Sequence, residues 1–152
     1  MAEQREKSPD DIPFSPSIAL VTLSRMVEVQ LAAMLEPHGL TLRKYGVLGH
    51  IAATPGLSLS DLGRRSRITV QSVHAIIRAL AEAGWVRSTT EANGLPAQVT
   101  VTPAGDALLA RLRTEVAEFD AEGFASPTWR ELSSALAAVV RDRDAPGVAP
   151  VD

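Results

Sequence analysis

Apolar residues first recur regularly from the second turn of the chain onward. Leu20, Leu23, Val27, Leu31 and Leu35 fall at three- and four-residue steps, which places them on one face of a helix over residues 17–36, ending before Pro37. Val21, Met26, Val29 and Met34 widen the stripe. A helix apolar over so much of its circumference has to bury more than one side, which predicts a subunit interface. Gly39 then reads as a helix stop and Thr41 as a new cap. Leu42, Tyr45, Leu48, Ile51 and Ala52 share a face of the short helix that follows, with Tyr45 as its expected core aromatic and Pro55-Gly56 as its end.

The stretch SLSDLGRRSRITVQSVHAIIRALAEAGWV, residues 58–86, reads as two short helices joined by a tight turn. Ser58 followed by Asp61 is a capping-box-like start, and Leu62 anchors the first helix. Thr69 can cap the N–H of Gln71 or Ser72, and Val73, Ile76, Ile77 and Leu80 then fall on one face of a second helix stopped by Gly84. Gln71, Ser72, His74, Ala75 and Arg78 are left on the outside near its start, where a helix-turn-helix carries the side chains that meet base edges.

The period then changes. WVRSTT and AQVTVT alternate and are rich in β-branched residues, and Asn93-Gly94 between them is a turn signal, so a two-stranded hairpin is expected with Pro96 at its tip or edge. Such a hairpin is marginal alone and must lean on the helices. Thr102 with Pro103 opens a long helix bearing Leu108, Leu109, Leu112, Val116 and Phe119. Thr128 with Glu131 predicts a second capping box opening a last helix over residues 129–143, striped by Leu132, Leu136, Val139 and Val140. Residues 1–15 read as a mobile arm and residues 144–152 as a disordered tail, which leaves residues 16–143 as a single domain.

Composition narrows the class. The 152 residues carry 45% hydrophobic and 22% charged side chains, ordinary for one soluble globular domain. No apolar run approaches the length of a membrane span and the polar N-terminus is unlike a signal peptide, so a cytoplasmic protein with no membrane partner is expected. The absence of cysteine excludes disulfides and thiolate chemistry. A net charge of −3 conceals an uneven distribution. Across residues 59–87, Arg64, Arg65, Arg67, Arg78 and Arg87 stand against Asp61 and Glu82, a local +3, whereas residues 103–152 hold nine acids and five arginines, a local −4. A basic middle between acidic ends fits a protein that shows one face to a polyanion; the competing reading is a solvated helical face.

Other chemistry finds little support. His38, His50 and His74 lie far apart without ligand spacing to carboxylates, and there is no zinc motif, phosphate loop or nucleophile elbow. The acids of EVAEFDAE are spaced like a solvated helix face. No catalytic residue, metal site or cofactor is expected, and an enzyme is not.

The joint order of these elements, with HGLTLRKYGVLGHIAATPGLSLSDLG, ITVQSVHAIIRALAEAGWV and VTVTPAG, resembles the MarR family of bacterial transcription regulators. The resemblance covers residues 17–140. It implies a mostly α fold with a small β-hairpin: a winged helix-turn-helix over residues 41–102, and long dimerisation helices over residues 17–36 and 103–143. It also implies a homodimer that binds a pseudo-palindromic double-stranded operator, most often as a repressor, with recognition helices about 34 to 36 Å apart in successive major grooves. Arg64, Arg65, Arg67, Thr69, Gln71, Ser72, His74, Ala75, Arg78, Arg87 and Asn93 are the candidate DNA contacts. Gln71 suits adenine, Arg78 guanine or phosphate, and Ser72 phosphate. Thr69 is a cap first, and His74 is either a contact or a solvent-facing side chain.

Two departures from the family pattern bear on binding. Relatives often carry Asp-Arg-Arg at the wing tip, where this chain has Asn93, Gly94 and Leu95, and an arginine is common in relatives where Ala75 stands. The expectation is weaker wing binding, with the recognition helices carrying more of the specificity; a dimeric interaction module that has lost DNA binding is the alternative. The resemblance further implies a small aromatic or amphipathic effector that releases the operator. Met26, Gln30, Met34, His38, Tyr45 and His50 are candidates to line its pocket, against the competing reading that such residues at helical spacing are core.

Overall fold

The computed structural model describes residues 13–89 and 98–142. Most of the expected arm, the Asn93-Gly94 turn with Leu95 and Pro96, and the 144–152 tail lie outside the described residues. The chain divides into two compact units, one through Thr102 and one from Pro103.

The first unit begins with α1, Pro16–Leu35, where the Ser15 hydroxyl accepts from the Ile18 N–H and Pro16 stands in the first turn. A single 3-10 turn, Glu36–His38, ends at Gly39 with φ 70°. Gly39 N–H bonds Glu36 C=O at 2.9 Å and Leu40 N–H bonds Leu35 C=O at 3.3 Å, the paired bonds that close a helix through a left-handed residue. Only Leu35 of α1 is buried, while Ile18, Leu20, Val21, Met26 and Val29 stand at least half exposed. Leu23, Val27, Leu31 and Met34 are half-buried, so one side of the wide stripe is covered within the chain and the other, Leu20, Val21, Met26 and Val29, is bare surface. Residues 16–38 are also long and apolar enough to cross a membrane by length and composition, which corrects the expectation that no stretch approaches a span. Isolated polar residues such as Thr22, Ser24 and Gln30 break the run without lowering its average much.

The helix α2, Leu42–Ala53, is capped by Thr41, whose hydroxyl accepts from Lys44 N–H at 3.2 Å. Val47, Leu48 and Ile51 are fully buried at the centre of the unit, and Tyr45 is only half-buried at the edge of that face. The expected core aromatic is thus displaced by Val47. The helices α3, Leu59–Ser66, and α4, Val70–Glu82, pack on each other and on α2. Leu62, Val73, Ile76, Ile77 and Leu80 complete the core, each burial worth roughly 1.5–3 kcal/mol.

Strands β1, Val86–Ser88, and β2, Val99–Val101, pair antiparallel with Val86 opposite Val101 and Ser88 opposite Val99. Val86 and Val99 are buried while Arg87, Ser88 and Thr100 are exposed. As expected, the hairpin leans on helices: β2 packs on α2 and β1 on α4.

The second unit holds α5, Pro103–Gly123, and α6, Pro127–Arg141. Leu108, Leu109 and Leu112 are buried on α5, and Val116 and Phe119 half-buried. The cap of α6 corrects the Thr128 expectation: the Ser126 hydroxyl accepts from the Trp129 N–H at 3.4 Å, and the helix starts two residues early. Pro127 decides this, because its fixed φ and missing N–H suit the first helical position and leave Ser126 just outside. Phe124 and Trp129 meet edge to face with centroids 5.3 Å apart. No residue of α6 is buried, and Leu136, Val139 and Val140 are exposed.

Candidate nucleic-acid interface

The basic stretch folds as a helix, a turn and a second helix. Ser58 opens α3: its hydroxyl accepts from Asp61 N–H at 3.1 Å and donates to an Asp61 carboxylate oxygen at 2.7 Å, while the other carboxylate oxygen pairs with Arg64. The Ser58 hydrogen bond, which outweighs the opposing effect of burial and is helped by the nearby charge of Arg64, holds the Asp61 carboxyl below its ordinary value. Arg65 donates to the Thr54 hydroxyl at 3.0 Å, tying the end of α3 to the end of α2.

The turn between α3 and α4 places Arg67 in the left-handed region at φ 51°, the one non-glycine there among the described residues. Arg67 N–H bonds Arg64 C=O at 3.3 Å and Ile68 N–H bonds Gly63 C=O at 3.0 Å. This is the helix-closing pattern usually built on glycine, here with an arginine at the left-handed place and its side chain exposed. Gly63 permits the close approach: a Cβ there would sit 3.0 Å from the Ile68 carbonyl oxygen.

Thr69 caps α4 by accepting from Ser72 N–H at 3.1 Å, one of the two donors expected, and also shares a hydrogen with the Ser72 hydroxyl at 2.9 Å. Ser72 is accordingly half-buried and partly engaged. Gln71, His74, Ala75 and Arg78 are exposed opposite the buried Val73, Ile76, Ile77 and Leu80. Between Gln71 and Arg78 the helix rises about 10 Å, roughly the length of three base pairs in a major groove. The helix ends at Gly84, φ 78°, with Gly84 N–H on Ala81 C=O and Trp85 N–H on Leu80 C=O, both 2.9 Å. Thr102 fastens the hairpin base by donating its hydroxyl to Gly84 C=O at 2.6 Å and its N–H to Trp85 C=O at 3.0 Å. Arg87 is exposed on β1, opposite Thr100. Asn93 lies outside the described residues.

The turn and α4 thus bring together Arg64, Arg67, Thr69, Gln71, Ser72, His74, Ala75 and Arg78, whereas Arg65 is tied to Thr54 and Arg87 stands on the hairpin. Sequence reasoning missed Val70, at the first position of α4, which is 43% exposed. The signal was present in the stripe itself, since Val70 lies three residues before Val73 and seven before Ile77, one turn beyond the packed core.

The six effector candidates do not converge. A cavity of about 390 Å³ between α1, α2 and the end of α3 is lined by Glu28, Leu42, Arg43, Gly46, Val47, His50, Arg65 and Ser66, and of the six only His50 takes part. Met26 and Gln30 are exposed on α1, and Met34, His38 and Tyr45 are half-buried. Glu28, Arg43 and Ser66 were not anticipated, as charged and hydroxyl residues beside an apolar stripe look solvated in a linear reading. The Ser66 hydroxyl is buried with no hydrogen-bond partner among the described residues. Neither do the described residues hold a group of three or more histidine, aspartate or glutamate side chains placed to bind a metal ion.

Comparison with known proteins agrees with this geometry. A model of the MarR family matches residues 38–94. The HTH-type transcriptional repressor Rv2887 of Mycobacterium tuberculosis is 31% identical over 131 residues, spanning 84% of this chain and 93% of the relative. Its crystal structure in complex with DNA superposes with a TM-score of 0.70 at 31% identity, covering 84% of this chain and 98% of that one. Its complex with salicylic acid gives 0.67 at 30% identity, covering 86% and 98%. Six helices among the described residues, with a helix-turn-helix midway along the chain and a two-stranded wing, matched along nearly the whole of such a relative, place the chain in one family: it belongs to the MarR family of transcription regulators.

Proposed function

We propose that the protein is a homodimeric DNA-binding transcription regulator, acting as a repressor on a pseudo-palindromic operator. The observation that carries this reading is the exposed polar face of α4, Gln71, His74 and Arg78, flanked at the turn by Arg64 and Arg67. These residues divide naturally into base readers and phosphate holders. The relative named as a repressor, with a structure in complex with DNA, supports the same role here.

Dimerisation is supported by apolar surface that one chain leaves uncovered: Ile18, Val21 and Val29 on α1, and Leu136, Val139 and Val140 on α6. Apolar faces of this extent are normally interfaces. A response to a small aromatic acid is supported by the cavity lined by Arg43, His50, Arg65 and Ser66, whose volume falls within the usual ligand range. Its two arginines, Arg43 and Arg65, outnumber the Glu28 carboxylate and suit an acid, and the Ser66 hydroxyl, without a partner among the described residues, suits a second polar group. Arg65 belongs to both cavity and helix-turn-helix, so a ligand that engages it acts on the end of α3. Release then requires that the ligand favour the non-binding arrangement.

A salt titration of binding to the DNA upstream of its own gene tests the reading. With several phosphates neutralised, the logarithm of the affinity falls by about 0.9 per phosphate for each tenfold rise in salt. Absence of binding even at low salt overturns it in favour of an interaction module. Calorimetry with salicylate that gives neither heat nor operator release removes the effector part alone.

A further inference from the structure

Among the described residues, Val70 is the one large hydrophobic side chain between Val29 and Leu136 that stands exposed, at 43%. The other exposed apolar residues lie before α2 or on α6. Val70 occupies the first position of α4 and lines a cleft of about 590 Å³ with Ser60, Gly63, Arg64, Arg67 and Thr69. Its exposure has a local cause. The neighbour on α3 is Gly63, and a Cβ there would lie 3.8 Å from a Val70 methyl, so the residue that would cover Val70 has no side chain to do so.

The surroundings make this apolar spot informative. Arg64, whose guanidinium pairs with Asp61, and Arg67 line the same cleft as Val70, and Gln71 follows, exposed, at the second position of the same helix. A methyl-bearing side chain beside exposed cations at the start of a recognition helix is placed to meet the edge of a base, and the apolar group that a base presents in the major groove is the thymine 5-methyl. We propose that Val70 is a specificity-determining residue that reads a thymine methyl group in each half-site. The proposal rests on the DNA-binding reading above.

The test uses the full-length protein and a duplex selected from random DNA for tightest binding, with each thymine replaced in turn by deoxyuracil, which lacks only that methyl. One thymine per half-site is expected to show a loss of about fourfold in affinity, the size expected for one buried methyl group. V70A, whose change lies on exposed surface and whose folding is checked by thermal melting, is expected to bind the thymine and deoxyuracil duplexes equally. Retained binding with no deoxyuracil-sensitive position, or a V70A protein as sensitive as the wild type, overturns the proposal and leaves the regulator reading standing. Failure to select any duplex overturns both.

Discussion

The amide of Ile68 donates to the carbonyl of Gly63 at 3.0 Å, while the Ile68 carbonyl oxygen lies 3.0 Å from where a Cβ on Gly63 would be. The turn that sets α4 against α3 is thus closed by one residue and crowded by the same one. Alanine is the better helix former by about 1 kcal/mol, but here its methyl meets a backbone oxygen fixed by the turn. Gly63→Ala is expected to lose about 1 kcal/mol of stability net, measured by urea denaturation, and to weaken DNA binding further by displacing the start of α4. An unchanged midpoint would show that the turn relaxes freely.

Arg67 bears the opposite relation between stability and function. A left-handed φ of 51° costs a non-glycine residue roughly 1–2 kcal/mol, which glycine avoids at the expense of unfolded-chain entropy. Arg67→Gly is expected to raise stability by about 0.5–1 kcal/mol while lowering DNA affinity and reducing the salt slope by about one. If both stability and affinity fell, the exposed guanidinium would be bracing the fold instead of meeting DNA.

Gln71 and Arg78 lie on the face of α4 away from its core stripe. Gln71→Ala is expected to cost about 1–3 kcal/mol of binding and to relax preference at one base position per half-site, read by selection on a randomised operator. Arg64→Ala should instead weaken all sequences about equally. Equal effects of both variants on every sequence would remove the division between readers and holders.

Val29 on α1 is 71% exposed and Val139 on α6 is 70% exposed, so within a single chain a charge at either position meets solvent and disturbs little. Val29→Glu combined with Val139→Glu is expected to shift the protein from dimer to monomer in sedimentation, with loss of operator binding and an unchanged far-ultraviolet spectrum. A dimer that persists in the double variant places the interface elsewhere.

Asp61 ties acid stability to the start of α3. Its carboxyl is held below the ordinary value of 3.8, first by the Ser58 hydroxyl and then by Arg64. The stabilisation is therefore fully present above that value and is lost as the pH falls through the lower folded one. Melting temperatures taken between pH 6 and 2 should fall more steeply for the wild type than for Asp61→Asn, which carries no such titration.

The sequence by itself determined the elements and most of their ends, because caps and periods are local. Thr41, Ser58, Thr69, Gly39 and Gly84 act through hydrogen bonds within a few residues, and the Val73, Ile76, Ile77 and Leu80 stripe follows from the helical repeat alone. At α6 the constraint of Pro127 put the cap on Ser126 and not on the expected Thr128. Tertiary structure decided what no spacing records: that Val47 and not Tyr45 fills the centre of α2's buried face, that His50 shares a cavity with Glu28, Arg43, Arg65 and Ser66 while the methionines do not, and that Val70 stays uncovered because the residue facing it is Gly63. Such facts depend on which residues from different elements meet, and burial is a property of that meeting, set by neighbours distant along the chain.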